Sequence, residues 1–282
     1  MRQTDQQQID QQQVRSWLPT WAVDAHKQER GHLWLFGGSV GYSGAPRLAA
    51  MGAQAMGVGL VSLVVPDEIY PVVASAELES MVHPQSPLVG CPLQADAVVV
   101  GPGWGRGQQK MLRSLLASDA PLLIDADALN MVAESEELQG AVRQRRAATL
   151  LTPHPGEAGR LLGWESGAKV QRDRVAVWHA LVEKYGCVVV LKGWRSLVGS
   201  GGTLYVCPFG NNRLAIAGSG DVLAGMIGAL LAQRLDAVSA AACGVALHAL
   251  TVESPGWYRA GQLGDVVAEL VASLRRGSDA IC

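Results

Sequence analysis

Short continuous apolar runs alternate along the chain with longer stretches in which apolar residues recur every three or four positions. The runs Leu33 to Phe36, Leu60 to Val65, Ala97 to Val100, Pro121 to Ile124, Thr149 to Leu151 and Val188 to Leu191 do not alternate with polar residues. Runs of that kind belong to strands covered on both faces. Most are separated by enough residues for a crossover helix, which predicts an α/β fold with a largely parallel central sheet flanked by helices on both faces. Ser196 to Gly199 and Thr203 to Cys207, joined by Ser200-Gly201-Gly202, predict a late antiparallel hairpin, because two glycines supply the positive φ of a tight reversal. From Ser219 the period becomes helical through Gln233. It resumes from Ala237 to Glu253 and ends in a helix from about Leu263 to Arg275.

Residues 1 to about 20 are polar and rich in Gln, with Ile9, Val14, Trp17 and Leu18 at near-helical spacing. This spacing predicts an amphipathic arm docked on the body or on a neighbouring subunit, with a frayed tail as the alternative. No fixed-period repeat or long linker follows, so the chain reads as an arm, residues 1–20, and one domain, residues 21–282. A chain of 282 residues that is 49% apolar has enough material for one full core.

Charge and cysteine content narrow the function. The net charge is −2 with scattered basic residues, which excludes the electrostatic footprint of a nucleic-acid binder or of a protein held on anionic lipid. Five cysteines lie far apart without a CxxC pair, so neither a disulfide framework nor a zinc site is expected. The N-terminus lacks the apolar core of a signal peptide. The apolar stretch Ala237 to Leu250 is interrupted by Ser239, Gly244 and His248 and is too short to cross a bilayer. A cytoplasmic enzyme with a small-molecule partner is expected.

The strongest chemical signal is Ala217-Gly218-Ser219-Gly220-Asp221, a small-residue turn leading into an apolar helix. Glycines admit a ligand close to the backbone, first-turn amides point at it, and the helix dipole favours an anion. Asp221 there is either a first-turn acid or a base facing a substrate hydroxyl beside a phosphoryl group. Four other segments leave strand ends: Gly101-Pro102-Gly103-Trp104-Gly105, Asp125 to Asn130, Thr152 to Glu157, and Lys192-Gly193. Each alone reads as a turn, a cap, a surface histidine or a solvated charge. Together they form one rim where open α/β sheets keep their ligands. The Gly37 to Ala45 run lacks the spacing of GxGxxG, which disfavours a hydride-transferring dinucleotide fold.

These ordered motifs, with His26-Lys27 ahead of the first strand, resemble the ribokinase-like superfamily and, within it, the ADP/ATP-dependent NAD(P)HX dehydratase family. The similarity covers residue 25 or so to the C-terminus. It implies repair of NADHX and NADPHX to NADH and NADPH, by phosphorylation of the ring hydroxyl and elimination of phosphate. Asp221 is then the catalytic base. Ala45, Gly103 and His154 face the hydrate beside it. Lys192, Gly193, Trp194, Arg195 and Ser196 face the nucleotide together with Gly218, Ser219 and Gly220. The resemblance further implies ADP or ATP as co-substrate, Mg2+ with Glu157 orienting it through water, and a homo-oligomer; the epimerase domain that some relatives carry in front is not expected, since only the short arm precedes His26.

Several positions depart from the family pattern. Ile216 and Ala217 replace a hydroxyl residue and a glycine, which is expected to stiffen the anion-binding turn. Gln28, Glu29 and Arg30 are expected to place acidic and bulky groups near the phosphate path, and Trp104 stands where an aliphatic residue is usual. A kinase of a thiamine-precursor alcohol and a catalytically silent nucleotide sensor are the alternative readings.

Overall fold

The structure, a computed structural model, describes residues 5–91, 93–164, 168–253, 256 and 258–276. Ten strands form one sheet among these residues: β1 (Asp5–Gln8), β2 (His32–Phe36), β3 (Leu60–Val65), β4 (Met81–Pro84), β5 (Ala97–Val100), β6 (Leu122–Ile124), β7 (Thr149–Leu151), β8 (Val188–Leu191), β9 (Leu197–Ser200) and β10 (Thr203–Val206). Their order is β1-β10-β9-β8-β7-β6-β5-β2-β3-β4. Every pairing is parallel except the two made by β9, so the expected late hairpin is β9–β10 within an otherwise parallel sheet.

Successive side chains of a strand point to opposite faces, and both faces here are apolar. Leu33, Leu35, Leu63 and Val99 pack against one group of helices, Gly44–Ala55, Ser219–Ala232, Ala237–Leu250 and Leu263–Arg276. Phe36, Val64, Val98 and Val100 pack against the other group, which includes Gln109–Leu116, Ala126–Glu134, Pro155–Leu161 and Arg174–Tyr185. The helix Ser219–Ala232 is apolar around nearly its whole circumference because the helix Gly44–Ala55 and the sheet enclose it.

The N-terminal segment contributes two elements, of which the sequence pattern indicated one. Asp5–Gln8 is an edge strand beside β10, and only then does the helix Gln11–Trp17 begin. Asp10 caps that helix: its Oδ1 accepts from the Gln13 amide at 2.7 Å, and the Gln13 side chain accepts from the Asp10 amide at 3.0 Å. Ile9, Val14 and Leu18 are buried, and Trp17 meets Tyr205 edge-on.

The chain runs outward from β2 through β3 to β4, then returns to the other side of β2 to make β5 and continues through β6 and β7 to β8. The direction of winding therefore reverses between β2 and β5. Loops leaving these two strands diverge, and a crevice opens at the carboxyl end of the sheet.

Candidate active site

Each rim segment follows the carboxyl end of a strand. The loops after β2 and β5 are tied together by the Gly38 amide on the Pro102 carbonyl at 2.8 Å and by Ser39 Oγ on the Gly103 carbonyl at 2.8 Å. Gly103 has φ +58°, and a Cβ there would stand 2.8 Å from Ala45 Cβ, so two of the three expected hydrate-facing residues are neighbours. The Gly105 amide donates to Asp127 Oδ2 at 2.9 Å, which joins this crevice to the loop after β6.

Asp125 is the hub of the rim. It is 2% exposed and accepts from Thr152 Oγ1 at 2.8 Å and from Lys192 Nζ at 2.7 Å. The next residue, Ala126, has φ +46°, a conformation that costs about 1–3 kcal/mol for a non-glycine residue and is retained where surrounding structure enforces it. Lys192 is fixed from behind as well, its amide on the Pro153 carbonyl at 2.9 Å, and its ammonium lies 3.9 Å from Glu157 Oε2. Burial pulls the Lys192 ammonium down, but Asp125 and Glu157 outweigh it and hold the group above its ordinary value.

His154 and Glu157 form a reciprocal cap on the helix Pro155–Leu161. His154 Nδ1 accepts from the Gly156 amide at 3.0 Å, while Glu157 Oε2 accepts from the His154 amide at 2.8 Å. His154 keeps half its side chain exposed toward the rim, whereas Glu157 is buried. Burial, then Asp125, pushes the Glu157 carboxyl upward, with Lys192 opposing.

Gly218 begins the helix Ser219–Ala232 with φ +87°, and a Cβ there would overlap Leu48 Cδ1. The amides of the first turn have no intrahelical acceptor. The Ser219 amide turns to the Ile216 carbonyl at 3.3 Å, so the turn offers chiefly the amides around it and the Ser219 hydroxyl. Asp221 sits in this first turn. Burial is the main cause that pushes its carboxyl up to about 7; Asp125, Asp127 and Glu157 add to it and Lys192 opposes. Lys192 Nζ lies 3.7 Å from where a Cβ on Gly220 would stand, so the ammonium reaches the helix start.

Beside that start lies a largely apolar cavity of about 480 Å3. Lys192, Gly193, Trp194, Ser196, Ser219 and Gly220 line it. Arg195 and Gly218 do not line it: Arg195, at φ +55°, extends along the exposed Trp194 ring instead, and Gly218 is turned toward Leu48. Phe209, Asn211, Leu214, Val245 and His248 line it too, and none of these five belongs to a motif apparent in the sequence; Ile216, ahead of the turn, also reaches the wall.

Three expected disturbances are relocated by the structure. Ala217 does not adopt a positive φ, because Gly218 alone carries that conformation, so the turn is not strained by the alanine. Gln28, Glu29 and Arg30 precede β2, where the Arg30 carbonyl accepts from the Gly59 amide ahead of β3. That is the amino end of the sheet, opposite the rim. Trp104 is fully buried, donates Nε1 to Gln85 Oε1 at 2.9 Å and meets Phe36 edge-on, so it is a core residue.

Known proteins resemble this chain in sequence and in fold. The family model for NAD(P)H-hydrate dehydratase matches residues 33–274. The chain is 38% identical over 262 residues to the ADP-dependent (S)-NAD(P)H-hydrate dehydratase of Neisseria meningitidis, covering 90% of this chain and 88% of that protein. It is 39% identical over 281 residues to the bifunctional NAD(P)H-hydrate repair enzyme Nnr of Coxiella burnetii, covering 96% of this chain and 55% of that one. The chain thus spans about half the length of the bifunctional relatives it matches. The crystal structure of the Bacillus subtilis ADP/ATP-dependent NAD(P)H-hydrate dehydratase, co-crystallised with ATP/Mg2+, superposes with a TM-score of 0.85 at 26% identity, covering 95% of this chain and 98% of that one. Its match over the whole sheet identifies the α/β architecture as ribokinase-like. The chain belongs to the NAD(P)H-hydrate dehydratase family.

Proposed function

We propose that this protein returns NADHX and NADPHX to NADH and NADPH with ADP or ATP as co-substrate. The observation that carries the reading is Asp221, a carboxyl pushed up to about 7 in the first turn of a helix whose opening residues Ser219 and Gly220 line the cavity, within reach of the charges of Asp125, Lys192, Asp127 and Glu157 on the rim. A base with that pKa is ionised for about half its population at neutral pH and still takes a proton readily.

The adenine and ribose occupy the apolar cavity, and the phosphates lie at the helix start, where amides and the dipole favour anions. Lys192, Gly193, Trp194 and Ser196 border the nucleotide, and Ala45, Gly103 and His154 border the hydrate. Asp221 accepts the proton of the ring hydroxyl as that oxygen bonds the terminal phosphorus and the nucleotide departs with the bridging oxygen. The ring nitrogen's lone pair then expels phosphate with the carbon–oxygen bond, and loss of the neighbouring proton restores the double bond.

Magnesium would neutralise charge on the phosphates. The rim supplies hard carboxylate oxygens that suit it. No three His, Cys, Asp or Glu side chains are grouped to hold a metal among the described residues. Glu157 would orient the ion through water.

A cytoplasmic location, supported by dispersed thiols, and a homo-oligomer belong to the same proposal. No helix among the described residues is long and apolar enough to cross a membrane. The test is to incubate the protein with hydrated NADH, Mg2+ and either nucleotide. The near-ultraviolet absorbance of NADH returns if the reading is right. A stable phosphorylated product, or no recovery with ADP and with ATP, rejects it.

A further inference from the structure

The helix Ala237–Leu250 is almost wholly apolar, yet it turns one titratable ring into the cavity. His248 is 6% exposed, lines that cavity, and places Nε2 3.1 Å from Ser219 Oγ, the first side chain of the anion-binding helix. Ser219 is itself 5% exposed and lines the same wall. Burial holds the imidazole down at about 4, with the Lys192 charge acting in the same direction and a hydrogen bond to the Ser219 backbone insufficient to offset them. The ring is therefore neutral at physiological pH, and Nε2 either donates to the hydroxyl or accepts from it.

Those two arrangements have different consequences. If Nε2 accepts, the Ser219 hydroxyl spends its only proton on the histidine. If Nε2 carries the proton and donates, the hydroxyl oxygen is held by His248 and its hydrogen is free to donate elsewhere. The Ser219 amide is already turned toward the Ile216 carbonyl, so the hydroxyl is the donor that this residue has left for an anion. An anion draws the hydroxyl hydrogen toward itself and so selects the donating tautomer of His248.

The geometry points to His248 as a positioning residue that orients the Ser219 hydroxyl toward a phosphate of the bound nucleotide. The inference rests on the nucleotide reading of the cavity and assigns a residue on a different helix a part in phosphate recognition. Its ring does not touch the phosphate; it acts through Ser219. A wall residue that only contacts the base would affect a nucleoside and a nucleotide alike, whereas this role affects only ligands that carry phosphate.

The test compares adenosine with ADP by calorimetry on the full-length protein and its variants. His248→Phe preserves a ring and loses the hydrogen bond. It should weaken ADP by about tenfold or more, the scale of one hydrogen bond to a charged group, and change adenosine by less than about twofold. Ser219→Ala should give the same pattern, and the double variant should be no worse than either single one, since both break one chain of interactions. Ser219→Thr, which keeps the hydroxyl, should retain ADP affinity and thereby show that the fold tolerates change at this position. In turnover, His248→Phe should raise the nucleotide KM far more than it lowers kcat. Equal losses for adenosine and ADP, or unchanged ADP affinity in His248→Phe, would overturn the assignment alone. A parent protein that binds no ADP would overturn the nucleotide reading and this inference with it.

Discussion

Replacing Asp221 by Asn removes one proton-accepting oxygen while keeping the size of the side chain. Two effects of opposite sign follow. General-base catalysis contributes about 10²–10⁴-fold to a reaction of this type, so kcat should fall by that factor. Stability should rise, because burial and Asp125 push the Asp221 carboxyl to about 7, against about 3.9 in an unfolded chain. The folded state binds this proton more tightly than the unfolded one. The contribution of this group to stability is therefore greatest below about pH 4, falls as pH rises toward 7, and is level above that. The gap between about 7 and about 3.9 is worth at most about 4 kcal/mol. Asn carries no such penalty. Urea denaturation at pH 4, 6 and 8 should show the two proteins alike at pH 4 and the variant more stable at pH 8. In the same series, kcat/KM of the parent should fall about tenfold per pH unit below 7 as the base is protonated. ADP binding should survive the substitution, since a negative charge near the phosphates is lost. Equal stability at pH 8, or a variant within threefold or so of parental kcat, would refute the view of Asp221 as a buried, destabilised base.

Other substitutions probe the rim and the relocated residues. Lys192→Met leaves Asp125 and Glu157 without their cation, and breaking a buried pair of this kind should cost about 3–5 kcal/mol at pH 8 in urea denaturation; a neutral result would show that the rim carboxylates find other partners. Gly218→Ala meets both the left-handed φ and Leu48, and should lower stability by about 1–3 kcal/mol with a marked loss of ADP affinity in a binding titration. Trp104→Phe leaves Gln85 Oε1 without its donor and should cost about 1–3 kcal/mol in melting experiments while the ADP-to-ATP preference stays unchanged. A changed preference would return Trp104 to the site.

The inner strands were legible because a strand covered on both faces must be apolar throughout, and β5 and β8 are unbroken Val/Leu/Ala runs at the predicted residues. β1 and β4 lie at the two edges of the sheet, where one side has no partner and the burial signal fades. The all-polar Asp5–Gln8 gives no periodic cue at all. Strand-end residues such as Asp125 could be seen as a group, but not that Asp125 and Lys192, 67 residues apart, share one short ion pair. His248 was hidden for the opposite reason, as an interruption in an apolar helix that looks like core. Gln28 to Arg30 were misplaced because nearness to β2 in sequence does not tell which end of that strand holds the ligand.

Central to the account is the passage of the ring hydroxyl oxygen onto phosphorus before it leaves. The direct test is turnover of hydrated NADH labelled with oxygen-18 in that hydroxyl, with Mg2+ and nucleotide, followed by mass analysis of the phosphate released. The label should appear in inorganic phosphate, one atom for each NADH formed. Label recovered in water instead would contradict phosphoryl-assisted departure.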